Sequence, residues 1–179
     1  MDTNDYLTIP YNKELQKYSQ YFKSGNSHID SFLKDSISLE KWFGKTYIWF
    51  EDEQIIGYYN IGVGYIRNNE YPNYKIGGAI HLNYFAIDET CRHYIEETLP
   101  NGTILKSSDW LMLDLKKRVN KIRDNHVGFS FITLNSTEQG KNLYLRSDFE
   151  NMEDEGLSFD YKDDENSCIP MFYTLDMEM

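Results

Sequence analysis

Two side chains of this sequence could move a proton. Tyr144 lies in a short predicted helix, and its phenol group, of ordinary pKa about 10, can act as a proton donor. His81 lies in an apolar predicted strand, and an imidazole of ordinary pKa about 6.5 can accept a proton at neutral pH. Each also has a structural interpretation, because Tyr144 could pack its helix onto a sheet and His81 could be a half-buried strand residue held by a hydrogen bond.

The other reactive residue types form no recognisable constellation. Cys91 and Cys168 have no CxxC or Cys/His spacing of the kind that binds metals, so we expect no metal. No spacing suggests a Cys–His nucleophile, and Cys91 is expected to be structural. His28, His93 and His126 have no partner pattern, and we expect them to lie at the surface or in ordinary hydrogen bonds.

Hydrophobic periodicity predicts the elements that must position these groups. Apolar residues at i, i+3 and i+4 predict a short helix at 27–33, capped by Ser27 or Asn26. An apolar stripe at helical spacing predicts a longer helix at 109–123, with Ser107 or Ser108 as its cap. A third helix is predicted at 137–147. The predicted strands lie at 46–50, 55–66, 79–87, 127–134 and 171–175.

The order of these elements indicates a mixed α/β sheet. A hairpin and a third strand lead into a β-α-β-α-β half. The strands at 79–87 and 127–134 are expected to run parallel, because the helix at 109–123 connects them as a crossover.

Charge is the strongest compositional signal. The formal net charge is -11, from 18 basic and 29 acidic residues, and that sign makes nucleic-acid binding unlikely. Nine of the acids lie between Asp148 and Glu165, whereas five bases and no acid lie between Lys116 and Arg123. Both clusters could be solvated faces. Alternatively, the basic helix could lie near an anionic cofactor and the acidic segment could attract a cationic amine.

Length and terminal composition suggest one cytoplasmic domain. The chain of 179 residues is long enough for one domain with a real core, which we expect to span 1–179. Its polar N-terminus has no signal-like apolar region, and no apolar run reaches the roughly 18 residues of a membrane span. We therefore expect reduced thiols and no membrane association.

Four segments resemble motifs of the GNAT superfamily of acyl-CoA N-acyltransferases. Residues 22–33, F-K-S-G-N-S-H-I-D-S-F-L, resemble the F-x-[SC]-G-x-x-x-[LI]-D-x-F-L opening of a bacterial branch. Residues 55–59, I-I-G-Y-Y, resemble its hairpin strand, and 85–87, F-A-I, resemble the end of its central strand. Residues 140–149, G-K-N-L-Y-L-R-S-D-F, resemble its A-x-x-[LF]-Y-x-x-x-G-F helix. The resemblance covers roughly residues 20–175, and no single motif is specific.

The resemblance implies a fold and a co-substrate. The fold is a central twisted sheet of six to seven strands, mostly antiparallel with one parallel splayed pair, flanked by helices. The activity is transfer of an acetyl group from acetyl-CoA to an amine of a small molecule, peptide or protein. The amine acceptor is not specified, and a homodimer is a possible assembly.

The resemblance also assigns roles to residues. Tyr144 would protonate the departing thiolate, and His81, four residues before Phe85, would accept the proton of the amine. The backbone of Phe85, Ala86 and Ile87 would pair with pantetheine, and Asn135 would bond one of its amides.

The phosphate-binding signature of the superfamily is degenerate here. Most members carry [QR]-x-x-G-x-[GA] directly after the central strand, whereas about twenty residues separate that strand from the helix in this chain. Lys106, Ser107 and Ser108 at the helix start could bind a pyrophosphate. Asp109, however, brings a carboxylate to the same place.

Two other functions are compatible with the sequence. The degenerate signature is compatible with a GNAT-like protein that has lost catalysis and acts as an acidic binding module. A toxin branch that acetylates aminoacyl-tRNA shares the opening motif, although the net charge counts against it.

Overall fold

An eight-stranded mixed sheet organises the chain in the computed structural model, which describes residues 6–71, 73–159 and 168–175. The order along the sheet is β1-β2-β3-β4-β7-β10-β8, and β9 pairs with β3. The strands are β1 Ile9–Pro10, β2 Lys45–Glu51, β3 Gln54–Asn68, β4 Lys75–Ile87, β7 Phe131–Ser136, β8 Glu150–Asn151, β9 Leu157–Ser158 and β10 Ile169–Thr174. A separate small hairpin contains β5 Glu97–Thr98 and β6 Ile104–Leu105.

Three α-helices accompany the strands: α1 Ser27–Lys34, α2 Ser107–Asn125 and α3 Lys141–Arg146. Three 3-10 helices lie at Leu15–Tyr21, Ser36–Leu39 and Glu89–Cys91. Of the pairings described within the sheet, β4 with β7 is parallel, and β1–β2, β2–β3, β3–β9, β7–β10 and β8–β10 are antiparallel. The predicted mixed sheet with one parallel pair is confirmed.

The chain divides into two compact units. One contains Met1–Ile61 and Tyr84–Arg118, and the other contains Gly62–Asn83 and Val119–Met179. The expectation of a single domain over 1–179 stays a prediction. Part of the acidic segment, residues 160–167, lies outside the described residues.

Local sequence explains how several elements begin. The Asn26 side chain caps α1 by accepting from the backbone N–H groups of His28 and Ile29, which confirms one of the two predicted caps. The β2–β3 hairpin turns at Asp52 and Glu53, whose φ angles of 48° and 60° give the left-handed backbone that a two-residue hairpin requires.

Two predicted boundaries were wrong for local reasons. Strand β7 begins at Phe131 instead of 127, because the N–H of Val127 closes the end of α2 by donating to the Ile122 carbonyl. Helix α3 begins at Lys141 instead of 137, because Thr137 forms a preceding turn in which its hydroxyl accepts from the Gly140 N–H.

Each unit has its own apolar cluster. In the first unit it contains Tyr11, Phe22, Phe32, Leu33, Ile48, Ile55, Tyr58 and Ala86. In the second unit Ile66, Met152 and Phe172 pack together. The predicted stripe of α2 is confirmed at Leu111, Leu115 and Val119, which are fully buried, whereas its last member, Ile122, is half-buried.

A buried polar network in the first unit includes Arg118 of α2. Arg118 belongs to the basic cluster at 116–123, which was expected to be a solvated face or to lie near an anionic cofactor. The Asp114 carboxylate accepts from the Leu7 N–H at 2.6 Å, the Thr8 hydroxyl at 2.6 Å and the Tyr59 hydroxyl at 2.7 Å. Arg118, one turn later, donates to the Tyr59 hydroxyl and to the Thr8 carbonyl. Because a buried charge is costly unless it is bonded in this way, the network ties the N-terminal segment to α2 and β3.

The Arg118 guanidinium also lies between two aromatic rings. Its central carbon is 3.9 Å from the Tyr6 ring centroid and 4.0 Å from that of Tyr47. Arg118 therefore serves the packing of its own unit.

Three elements of the first unit approach closely at Gly57 of β3. A Cβ at this position would lie 2.6 Å from Ile87 Cδ1, 2.9 Å from the Ala86 carbonyl oxygen and 3.2 Å from Leu111 Cδ2. The carbonyl is backbone and cannot yield as a flexible side chain would. The end of β4 and the helix α2 can therefore lie against β3 only where β3 has no side chain.

We expect Gly57→Ala to lower the free energy of unfolding by about 1–3 kcal/mol, because the added methyl overpacks this junction. Gly64→Ala in the same strand is the matched control, since its Cβ would meet the His81 Cβ at an ordinary 3.5 Å. Urea unfolding of both variants measures the difference. Equal stability of the two variants would contradict the account of the Gly57 junction.

Candidate functional site

Strand β4 extends beyond the point where its pairing with β7 ends, and its far end is hydrogen-bonded to β3. The parallel register runs from Ala79↔Phe131 to Leu82↔Leu134, whereas β4 continues to Ile87 and β7 to Ser136. At the far end of β4, the N–H of Asp88 donates to the Ile56 carbonyl at 2.9 Å. The predicted backbone site, Phe85, Ala86 and Ile87, lies in this terminal part of β4.

A carboxylate in the first turn of helix α2 bonds to the backbone just before the helix. The helix begins at Ser107, and Asp109 Oδ2 accepts from the backbone N–H of Lys106 at 2.8 Å. This is the backward bond of a capping box, in which an acidic side chain in the first turn satisfies the N–H before the helix. The helix begins two residues before the predicted start at 109, so both predicted cap serines lie inside it, and the buried Asp109 carboxylate bonds to the Lys106 N–H.

Ser107 holds the preceding loop. Its hydroxyl donates to the Cys91 carbonyl at 2.7 Å and accepts from the N–H groups of Tyr94 and Ile95 at 3.1 and 3.3 Å. The side chain is fully buried. Lys106 is exposed and Ser108 half-buried at the same helix start.

Asn135 lies near the end of β7, opposite Pro170 of β10 in the antiparallel register. The last parallel pair, Leu82↔Leu134, immediately precedes it. The residue is half-buried.

His81 is a buried residue of β4. Its Nδ1 lies 2.9 Å from the Thr133 hydroxyl on β7, and its ring centroid lies 5.0 Å from that of Phe159. Desolvation by burial lowers the pKa of His81 to about 4, because water is not present to stabilise the imidazolium. The imidazole is therefore neutral at pH 7 and only weakly basic.

Tyr144 is a buried residue of α3. Its ring packs edge-on against Phe149 with centroids 5.7 Å apart. Gly140 leaves room for it, because a Cβ there would be 3.3 Å from Tyr144 Cε2. Burial raises the pKa of the Tyr144 phenol above its usual value, so the group keeps its proton at neutral pH.

One side-chain pair in the first unit was not predicted from the sequence. The Tyr84 hydroxyl of β4 lies 3.2 Å from His28 Nε2 of α1. No spacing rule predicts this pair, because the residues are 56 positions apart. The local sequence signal was Asn26, which caps α1 and so places His28 in the first turn of that helix.

Two classes of feature are absent from the described part of the chain. Residues 6–71, 73–159 and 168–175 contain no group of three or more His, Cys, Asp or Glu side chains that could hold a metal ion. Within the same ranges, no helix is both long and apolar enough to cross a bilayer.

No protein-family profile matches the sequence, and no curated protein matches it. Solved structures do share its fold. One described as a bacterial toxin superposes with a TM-score of 0.67 at 15% identity, covering 93% of this chain and 89% of that chain. AtaTR bound with acetyl-CoA gives 0.63 at 16% identity, covering 93% of this chain and 92% of that chain.

AtaT complexed with acetyl-methionyl-tRNAfMet gives a TM-score of 0.54 at 18% identity, covering 79% of this chain and 85% of that chain. A related structure describes AtaT as a toxin. At these identities the likeness establishes the fold, and the chain has a GNAT-like mixed sheet.

The depressed pKa of His81 predicts a pH-dependent stability. Because the unfolded state binds a proton near pH 6.5 and the folded state only near pH 4, lowering the pH across this window favours unfolding. The loss is on the order of 3 kcal/mol, is absent above pH 6.5 and is complete near pH 4. Urea unfolding of wild type and His81→Gln at several pH values isolates this contribution from that of the carboxylates. Parallel pH profiles would show that His81 titrates normally.

Proposed function

We propose that the chain is an acetyl-CoA-dependent N-acyltransferase that transfers an acetyl group to an amine. The observation that carries this proposal is the register of β4 and β7, which ends at Leu82↔Leu134 although β4 continues to Ile87. Backbone groups near the end of a strand can then pair with an amide-containing ligand instead of a neighbouring strand. Pantetheine is such a ligand, and the structural likeness to AtaTR bound with acetyl-CoA supports the choice.

The proposed cofactor contacts come from polar groups at the end of β4, the end of β7 and the start of α2. Phe85, Ala86 and Ile87 would offer backbone N–H and C=O groups to pantetheine, and Asn135 an amide side chain. The start of α2 would attract the pyrophosphate through the helix dipole and the exposed Lys106, with Ser108 beside it. The Ser107 hydroxyl is engaged with the loop at Cys91, so we assign it the role of shaping this helix start.

Tyr144 is the proposed acid for the thiolate. Its raised pKa ensures that a proton is present, and the same burial that raises it would also make a nearby thiolate more basic. The pKa values of the phenol and the thiol can therefore stay close enough for proton transfer, although burial raises both.

His81 is supported less well as the base. A neutral imidazole whose conjugate acid has a pKa of about 4 holds an extra proton poorly. Its contact with Thr133 joins the parallel strands, which is a structural role. The proposal for His81 as a base therefore requires its basicity to rise when substrate binds.

An aminoacyl-tRNA is a second candidate acceptor. The observation in its favour is the likeness to AtaT complexed with acetyl-methionyl-tRNAfMet. The net charge of -11 opposes it, because a tRNA backbone is repelled by an acidic surface. Acetyl-CoA consumption in the presence of small amines, basic peptides and aminoacyl-tRNA would separate these acceptors.

A binding module without catalysis is the third candidate. It is favoured by the start of α2, where Ser107 and Asp109 both make internal bonds and no glycine-rich loop is present. A wild-type chain that binds no acetyl-CoA would support it.

We expect Tyr144→Phe to lower the turnover of acetyl-CoA by about 10²–10⁴-fold, because the substitution removes the proton donor. The affinity of the protein for acetyl-CoA should change little, because the ring is kept. Thiol release measures turnover, and calorimetry measures affinity. Tyr21→Phe, at an exposed tyrosine, is the control for loss of a hydroxyl.

A packing role for Tyr144 predicts a different pattern. In that case Tyr144→Phe would retain wild-type turnover, and Tyr144→Ala would be destabilised by about 3 kcal/mol or more. Wild-type turnover in Tyr144→Phe would therefore remove its assignment as the acid.

A further inference from the structure

An exposed imidazole contacts a tyrosine of β4 directly before the proposed thioester site. His28 Nε2 and the Tyr84 hydroxyl are 3.2 Å apart, within hydrogen-bonding distance. With the imidazole proton on Nδ1, the Tyr84 hydroxyl donates to Nε2. Tyr84 is followed by Phe85, the first of the backbone positions proposed to meet the cofactor.

Packing fixes the Tyr84 ring. It stacks on Phe32 of α1 with centroids 3.9 Å apart and an interplanar angle of 12°. Phe43 lies on the same cluster, with its centroid 6.3 Å from that of Tyr84. A ring stacked on an apolar partner keeps its hydroxyl in a defined direction, as a group that accepts a proton in a transition state must.

His28 provides a connection to solvent. It lies at the start of α1, where its N–H donates to the Asn26 side chain at 3.0 Å, so the backbone that carries it is fixed. The imidazole is exposed, in contrast with that of His81. An exposed imidazole can pass a proton to water, which a buried one cannot do without a further carrier.

We propose that Tyr84 and His28 form the path by which the proton of the acceptor amine leaves the site. As the amine nitrogen bonds to the thioester carbonyl carbon, its proton passes to the Tyr84 oxygen while the phenolic proton passes to His28 Nε2. The C–S bond then breaks and the thiolate takes a proton from the proposed acid. The imidazolium releases the first proton to water, and the proposed acid regains one proton from water, so that no net proton is consumed. Tyr84 is the residue that touches substrate, and His28 acts through it.

This inference rests on the proposed acyltransferase function and adds a residue pair to it. It also explains why a buried, weakly basic His81 need not serve as the base. A purely structural role is the competing explanation, since the same hydrogen bond ties α1 to β4.

Kinetics of His28→Ala with and without added imidazole test the path. Because His28 is exposed, free imidazole can reach the vacated space and replace it as a proton acceptor. We expect kcat to fall by about 10²-fold in His28→Ala and in Tyr84→Phe, with the KM for acetyl-CoA unchanged. Imidazole should restore kcat in His28→Ala and leave Tyr84→Phe and the double variant unrescued.

His126→Ala is the matched control, since His126 is another exposed histidine, and it should retain wild-type kcat. Thermal unfolding verifies that the variants fold. Wild-type kcat in His28→Ala, or a loss that imidazole does not restore, overturns the path while leaving the acyltransferase function intact. A wild-type chain that neither binds nor consumes acetyl-CoA overturns the function, and the path with it.

Discussion

The close approach at Gly57 is the constraint on which the rest of the first unit depends. With no side chain there, the Ala86 carbonyl and the side chains of Ile87 and Leu111 can occupy the space beside β3. The bond from the Asp88 N–H to the Ile56 carbonyl then holds the end of β4 on that strand. A strand end held from one side does not need a second strand to keep its shape.

That arrangement links packing to the proposed chemistry. The parallel register stops at Leu82↔Leu134, and the part of β4 beyond it carries both Tyr84 and the proposed backbone site. Tyr84 in turn is fixed by stacking on Phe32. Acyl transfer from a thioester requires positioning and proton transfer more than a strong nucleophile, so a rigid strand end with a tyrosine beside it is suited to the reaction.

The sequence predicted the five longer strands, β2, β3, β4, β7 and β10, the three α-helices and the parallel pair, because apolar spacing along each element is local information. It did not predict the network of Asp114 with Thr8, or the contact of His28 with Tyr84, because these residues are 106 and 56 positions apart and meet only in the fold. Asp109 was placed correctly at the helix start, but its bond to the Lys106 N–H depends on a side-chain direction that residue type alone does not give.

The proposed chemistry requires the end of β4 to bind a coenzyme A thioester. Titration of the isotope-labelled chain with coenzyme A, followed by amide NMR, measures this binding residue by residue. We expect saturable shifts at the amides of Phe85 and Ile87, and at those of residues 106–108 at the start of α2. Absence of saturable shifts at millimolar coenzyme A, or shifts confined to other parts of the chain, would contradict it.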